Sequence, residues 1–196
     1  AGLAGGSADG AAVIKALNEI YKTNLSDKEL CKIGVKVGAD VPFCITGGTL
    51  LSQGIGEVLT PVKPLRRCFI VLAKPDFGVN TGYAYNQFDN EGKVHTPDKL
   101  GMLCAIQSRD LALICSKMEN VFEQFIEVPN RIDMKQIMRN NNALGTCMSG
   151  SGPTVFGIFE NKNDAEKAAE ELKVYAKDIC VCVPVNKGCK FKKISE

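Results

Sequence analysis

Three short stretches carry residue types suited to handling a phosphate group. The chain opens on Ala1-Gly2-Leu3-Ala4-Gly5-Gly6-Ser7-Ala8-Asp9, a glycine-rich loop running into an apolar-periodic segment. Gly2, Gly5 and Gly6 lack a Cβ, so they reach positive φ and leave backbone N–H groups open. N–H groups at a helix start, with the helix dipole behind them, attract anions. Ser7 adds a hydroxyl for a phosphate oxygen or a magnesium ion. A purely structural turn has the same composition, so this loop alone leaves both readings open. It is not a Walker A loop, because no Gly-Lys-Ser/Thr follows. It does not read as a Rossmann fingerprint either, because no strand precedes it within this chain. A second glycine-rich stretch, Leu144 to Thr154, contains Ser149-Gly150-Ser151-Gly152.

Asp40 is the third candidate. It sits in Gly38-Ala39-Asp40-Val41-Pro42-Phe43, flanked entirely by small or apolar residues. It reads either as a turn aspartate bonding its own backbone or as a partly desolvated carboxylate held for chemistry. The only histidine, His95, lies in a polar loop with no acid or cysteine motif and reads as a surface residue.

The elements that must position these residues follow from periodicity. Val13, Ile14, Leu17, Ile20 and Tyr21 predict a helix with one inward stripe. Ser26 and Glu29 form a capping box for a second helix, with Leu30, Ile33 and Val37 on one face and Gly38 as its left-handed end. Pro42 then biases the backbone towards an extended form. Phe43 to Leu51 reads as strand, Gly47-Gly48 turn and strand, with a further short strand from Val58. Cys68 to Ala73 reads as a central strand. A short helix from Asn80 or Thr81 carries Tyr83, Tyr85 and Phe88, which pack on the core or offer one ring to a ligand base. Helices are expected over Asp98–Gln107, Asp110–Met118 and Ile132–Asn140, a strand over Val155–Phe159, and a helix capped by Asn163 and Glu166 with Ala165, Ala168, Ala169, Leu172 and Tyr175 inward. A buried strand, Ile179 to Val185, closes the order. The sum is an α+β fold, with helices on a mainly antiparallel sheet.

Composition narrows the function classes. The chain has 196 residues, 45% hydrophobic and 23% charged, ordinary for a soluble globular protein. A net charge of +2 offers no electrostatic case for nucleic acid or an anionic membrane as partner. No apolar stretch approaches the ~20 residues that span a bilayer. The basic tail of Lys187, Lys190, Lys192 and Lys193 reads as a solvated end. Nine cysteines, odd in number and scattered, read as buried thiols in a reducing cytoplasm.

Together the opening loop, Gly38-Ala39-Asp40-Val41-Pro42-Phe43 and Met148-Ser149-Gly150-Ser151-Gly152-Pro153-Thr154 resemble the GHMP superfamily of small-molecule kinases, named for galactokinase, homoserine kinase, mevalonate kinase and phosphomevalonate kinase. The Gly47-Gly48-Thr49 and Gly54-Ile55-Gly56-Glu57 hairpin looks like the branch that phosphorylates a cytidine-diphosphate-linked alcohol for isoprenoid synthesis. The resemblance implies ATP and Mg2+ as cofactors and a small-molecule alcohol as substrate. It implies that Ala1, Gly2, Leu3, Ala4, Gly5, Gly6, Ser7 and Ala8 wrap the ATP phosphates, with Ser7 as the magnesium or phosphate contact. Asp40 becomes the catalytic aspartate, Ser149, Gly150, Ser151 and Gly152 an active-site glycine turn, and Thr81 and Tyr85 cytidine-side contacts. Residues 1–60 would be the remainder of an N-terminal ATP-binding domain and 61–196 a C-terminal domain. Ala4 stands where the family commonly has glycine and therefore needs a negative φ or accepts strain. The family's first motif, with the lysine that partners the aspartate, has no counterpart here. The chain is therefore expected to be a piece of a longer enzyme, inactive alone and prone to self-association. Another kinase or the decarboxylase of the same superfamily, or a non-catalytic α+β module, remain the alternatives.

Overall fold

The computed structural model describes residues 1–189. Lys190, Lys192 and Lys193 of the basic tail lie outside the described residues. The chain divides into two compact units. One comprises Ala1–Leu3 and Leu65–Pro184, the other Ala4–Pro64 with the described residues 185–189.

The larger unit is built on a four-stranded sheet. Its strands are β3 (Phe69–Lys74), β4 (Gly145–Met148), β5 (Val155–Phe159) and β6 (Asp178–Cys182), in the order β4-β5-β3-β6 and antiparallel throughout. Two-residue alternation explains why both faces are covered. Val71 and Ala73 of β3 and Val155 and Phe159 of β5 face Met134 and Met138 of α7 (Arg131–Asn140) and Ala165 and Ala168 of α8 (Lys162–Glu171). Ile70 and Ile158 face the opposite side, where Cys68 joins Leu111 and Cys115 of α6 (Leu111–Ser116). A third cluster joins Ala84 of α4 (Thr81–Asn90) to Phe122, Ile126, Val128 and Met148. Helix α5 (Lys99–Ser108) is capped by Asp98 and α6 by Asp110.

The smaller unit packs α1 (Gly5–Ile20), α2 (Asp27–Gly34) and α3 (Val41–Thr46) through Ala11, Leu30, Val41 and Ile45. A two-stranded hairpin, β1 (Leu50–Gln53) with β2 (Val58–Pro61), follows. Gly34 permits the α2–α3 approach, since a Cβ there would come 2.8 Å from Val41 Cγ1.

Several elements differ from the sequence expectations. Val41–Thr46 is a helix, not a strand, because Pro42 falls in its first turn, where a missing N–H leaves no bond unmade. The Gly47-Gly48 pair therefore links a helix to β1 rather than two strands, while the turn at Gly54-Ile55-Gly56-Glu57 lies where the sequence puts it, between β1 and β2. Helix α2 keeps its Ser26–Glu29 capping box but ends at Gly34, before Gly38, leaving Ile33 and Val37 exposed. Val13, Leu17 and Ile20 of α1 and Tyr21 just past its end are also exposed, because α2 and α3 reach this helix on its Gly10, Ala11 and Ile14 side. Asn161, not Asn163, caps α8. Leu172 lies in a 3-10 turn beyond that helix and is buried, while Tyr175 is exposed. Strand β6 stops at Cys182, and on this edge strand Cys180 is exposed rather than buried. Cys104 is exposed as well, and all nine cysteines are free thiols.

Burial pushes the Cys115 and Cys147 thiols up to about 11. The reactive species is the thiolate, so a raised pKa leaves both groups protonated and inert at pH 8. Iodoacetamide at that pH should alkylate Cys104 and Cys180 in the folded protein and spare Cys115 and Cys147 until denaturant is added. Mass spectrometry of the digested protein checks this, and rapid native labelling of Cys147 would contradict it.

Candidate active site

The glycine turn connects β4 to β5. Ser149 N–H donates to the Thr154 carbonyl (2.8 Å) and Gly152 N–H to the Ser149 carbonyl (3.0 Å). Gly150 and Gly152 have φ of 55° and 85°, which glycine adopts without steric penalty. The turn also holds the start of the chain. The Ser149 hydroxyl donates to the Gly2 carbonyl, and the Thr154 hydroxyl donates to the Ala1 carbonyl at 2.7 Å. Gly2 has φ 74°, and a Cβ there would lie 2.6 Å from the Ser149 carbonyl oxygen. Only glycine fits that approach.

The start of α4 reaches the same turn. Thr81 Oγ1 lies 3.2 Å from Ser151 Oγ. Asn80 caps the helix by accepting from Tyr83 N–H at 2.9 Å, which fixes Thr81 as its first residue. Tyr85 follows one turn later. Its ring meets Phe122 edge to face with centroids 5.1 Å apart, yet the residue remains 55% exposed. Thr81, Ser149 to Gly152 and Ala1-Gly2 are thus assembled in one unit.

Two residues in this assembly are absent from the sequence expectations. Asn120 Nδ2 donates to the carbonyls of Met148 and Gly150, both at 2.8 Å. Glu123 Oε1 accepts from Met148 N–H at 2.6 Å, and its Oε2 pairs with Lys135 Nζ at 2.7 Å. The Glu123 charge adds to burial in raising the Cys147 thiol. No local signal marks either residue, because their partners lie on a different element far along the chain.

The remaining candidates belong to the smaller unit. The opening loop is shorter than its composition suggests, since α1 already begins at Gly5. Gly5 and Gly6 are helical, and the left-handed conformation falls on Ala4 instead, at φ 49° and ψ 35°. Ala4 is thus the strained alternative, not the relaxed one. The first N–H groups of α1 have no carbonyl one turn behind them. A Cβ on Gly5 or Gly6 would meet nothing within 4 Å, so open space lies beside the backbone there. The Ser7 hydroxyl lies 3.7 Å from where a Gly38 Cβ would sit, which brings it beside the segment leading to Asp40.

Asp40 occupies the N-cap position of α3 with φ −87° and ψ −6°. Its side chain makes no capping hydrogen bond and is exposed, so it is neither a self-bonded turn residue nor a desolvated one. Its charge reaches along α3, adding to burial in pushing the Cys44 thiol up. The hairpin turn backs this segment, since a Cβ on Gly56 (φ 123°) would lie 3.0 Å from the Ala39 carbonyl oxygen. His95 is a surface residue, pairing with Glu119 at 3.2 Å. Among the described residues no helix is long and apolar enough to cross a membrane.

Residues 1–48 match the model of the GHMP kinases N terminal domain, and residues 102–177 match that of GHMP kinases C terminal. The chain is 46% identical over 175 residues to the 4-diphosphocytidyl-2-C-methyl-D-erythritol kinase of Clostridium acetobutylicum, covering 88% of this chain and 62% of that protein. It is 49% identical over 183 residues to the protein of the same name from Caldicellulosiruptor bescii, covering 91% and 63%. The chain therefore spans less than two thirds of these relatives. A crystal structure of 4-(cytidine 5'-diphospho)-2C-methyl-D-erythritol kinase superimposes with a TM-score of 0.68 at 28% identity, covering 96% of this chain and 67% of that one. Homoserine kinase from Cytophaga hutchinsonii gives a TM-score of 0.75 at 22% identity, covering 96% and 67%, which is a likeness of fold alone.

The left-handed Ala4 generates a prediction. An alanine there costs ~1–2 kcal/mol relative to an unstrained backbone, and glycine returns part of this as unfolded-state entropy. Ala4→Gly should raise the unfolding free energy by about 0.5–1 kcal/mol, read as a higher urea midpoint. A lower midpoint would contradict the strained geometry.

Proposed function

The chain belongs to the GHMP kinases, and on that premise we propose that it serves the ATP-dependent phosphorylation of a hydroxyl of 4-diphosphocytidyl-2-C-methyl-D-erythritol, a step towards isoprenoid precursors by the non-mevalonate route. The observation that carries the substrate is the high identity to two bacterial proteins of that name. The homoserine kinase likeness supports the fold and not a substrate.

The roles divide by chemistry. Bound ATP with magnesium supplies the phosphoryl group and neutralises its charge. Ala1 to Ala8 follow the phosphates. Within them, the open N–H groups at Gly5 to Ser7 hold phosphate oxygens, and the Ser7 hydroxyl contacts phosphate or metal. Among the described residues no cluster of three or more His, Cys, Asp or Glu side chains could hold a metal ion. Ser7 is the residue of this chain that would contact the magnesium, and the bound phosphates would supply further oxygen ligands, as suits an ion that dehydrates reluctantly. Asp40 orients the attacking hydroxyl and takes its proton, and its carboxylate suits this because no helix cap occupies it. Ser149 to Gly152 support the phosphate loop through Gly2. Thr81 and Tyr85 receive the cytidine, with the Tyr85 ring stacking on the base. The cytoplasm is the compartment where this substrate and nine reduced thiols would be kept.

The test uses the chain extended to the length of its relatives and follows ADP release. Asp40→Asn should lower kcat by about 10²–10⁴-fold while KM for ATP moves less than about threefold. Tyr85→Ala should raise KM for the cytidyl alcohol and leave KM for ATP unchanged. Near-normal turnover by Asp40→Asn would remove the aspartate from its role. Phosphorylation of homoserine in place of the cytidyl alcohol would replace the substrate.

A further inference from the structure

The two residues that hold the glycine turn, Asn120 and Glu123, are not among those assigned a chemical role above. We propose that Asn120, braced through Glu123, is a positioning residue that fixes the glycine turn and the direction of its Ser151 N–H, an inference that rests on the kinase reading. The orientation of the Asn120 amide is set by its neighbours. Its Oδ1 accepts from Phe122 N–H at 2.9 Å, so the NH2 group faces the Met148 and Gly150 carbonyls. Two carbonyl dipoles gathered around one point repel unless a donor lies between them, and Nδ2 is that donor.

Peptide planarity carries the effect onward. In a trans peptide the N–H points opposite to the carbonyl of the same unit. Holding the Gly150 carbonyl towards Asn120 therefore turns the Ser151 N–H to the opposite side. Ser149 and Gly152 N–H are already engaged inside the turn. The Ser151 N–H is the donor whose direction Asn120 controls.

The holder is itself held. Glu123 takes the Met148 N–H and the Lys135 ammonium on its two oxygens, with side-chain exposures of only 20% and 14% for the pair. The Arg131 guanidinium donates to the Ile126 and Glu123 carbonyls. The segment from Asn120 to Ile126 is thereby tied to α7. A backbone donor fixed before the charge develops costs no reorganisation during transfer, which is what makes such donors effective.

The experiment compares Asn120→Asp and Asn120→Ala in the chain extended to the length of its relatives. Aspartate keeps the shape and the acceptor for Phe122 N–H, and reverses the polarity facing the two carbonyls. Both variants should lose kcat, by about 10²-fold, with aspartate no better than alanine. KM for the cytidyl alcohol should move less than about threefold. In 15N-edited NMR spectra the Gly150 and Ser151 amides should shift in both variants while those of the β1–β2 hairpin stay in place. Normal kcat in Asn120→Asp would overturn the proposal, as would unmoved Gly150 and Ser151 amides. A lowered melting temperature with intact kcat per folded molecule would overturn it too, by showing a merely structural role. If the unsubstituted protein transfers no phosphate, the kinase reading fails, and the turn amides still decide whether Asn120 sets the turn.

Discussion

The larger unit depends on one close approach, the Gly2 backbone against the Ser149 carbonyl. It is possible because Gly2 has no Cβ, and it is held by the Ser149 and Thr154 hydroxyls on the carbonyls of Gly2 and Ala1. Two glycine-rich stretches about 150 residues apart therefore serve one purpose. The hydroxyls of the second satisfy backbone carbonyls of the first that a loop would otherwise leave to solvent. The turn in turn sits between β4 and β5, whose ladder places it at a rigid sheet end. A turn built this way is positioned by strands rather than by loop chance.

The sheet and most helices were legible because their signals are local. A short apolar run marked β3, and the Ser26–Glu29 box marked α2. Misreadings arose where one residue supports two local structures. Pro42 ends a helix when it is interior and begins one when it is in the first turn, and only packing of Val41 and Ile45 on Leu30 decides between them. The apolar line of α1 has the periodicity of a buried face, yet Ala11 makes the buried contact, because a small side chain allows the closer helix approach.

Site residues follow the same division. Gly2, Ser149 to Gly152 and Asp40 could be singled out because glycine clusters and an isolated carboxylate stand out in sequence. Ala4 could not be given its conformation from composition, since glycines on either side would have adopted a left-handed φ more readily. Asn120 and Glu123 were invisible for a different reason. Their function is a set of hydrogen bonds to another element's backbone, and backbone partners leave no trace in residue type. Asp40 was read as either self-bonded or desolvated and is neither. Its carboxylate is exposed and caps no helix, a state that neither local reading of its neighbours describes.

The most direct measurement is phosphorus NMR of ATP, magnesium and 4-diphosphocytidyl-2-C-methyl-D-erythritol mixed with the chain extended to its relatives' length. The account predicts the ATP γ signal disappearing as ADP and one new phosphomonoester resonance grow in equal amounts, with the cytidyl diphosphate signals retained. ATP left intact beside the untouched alcohol, or ADP formed with inorganic phosphate alone, would contradict it.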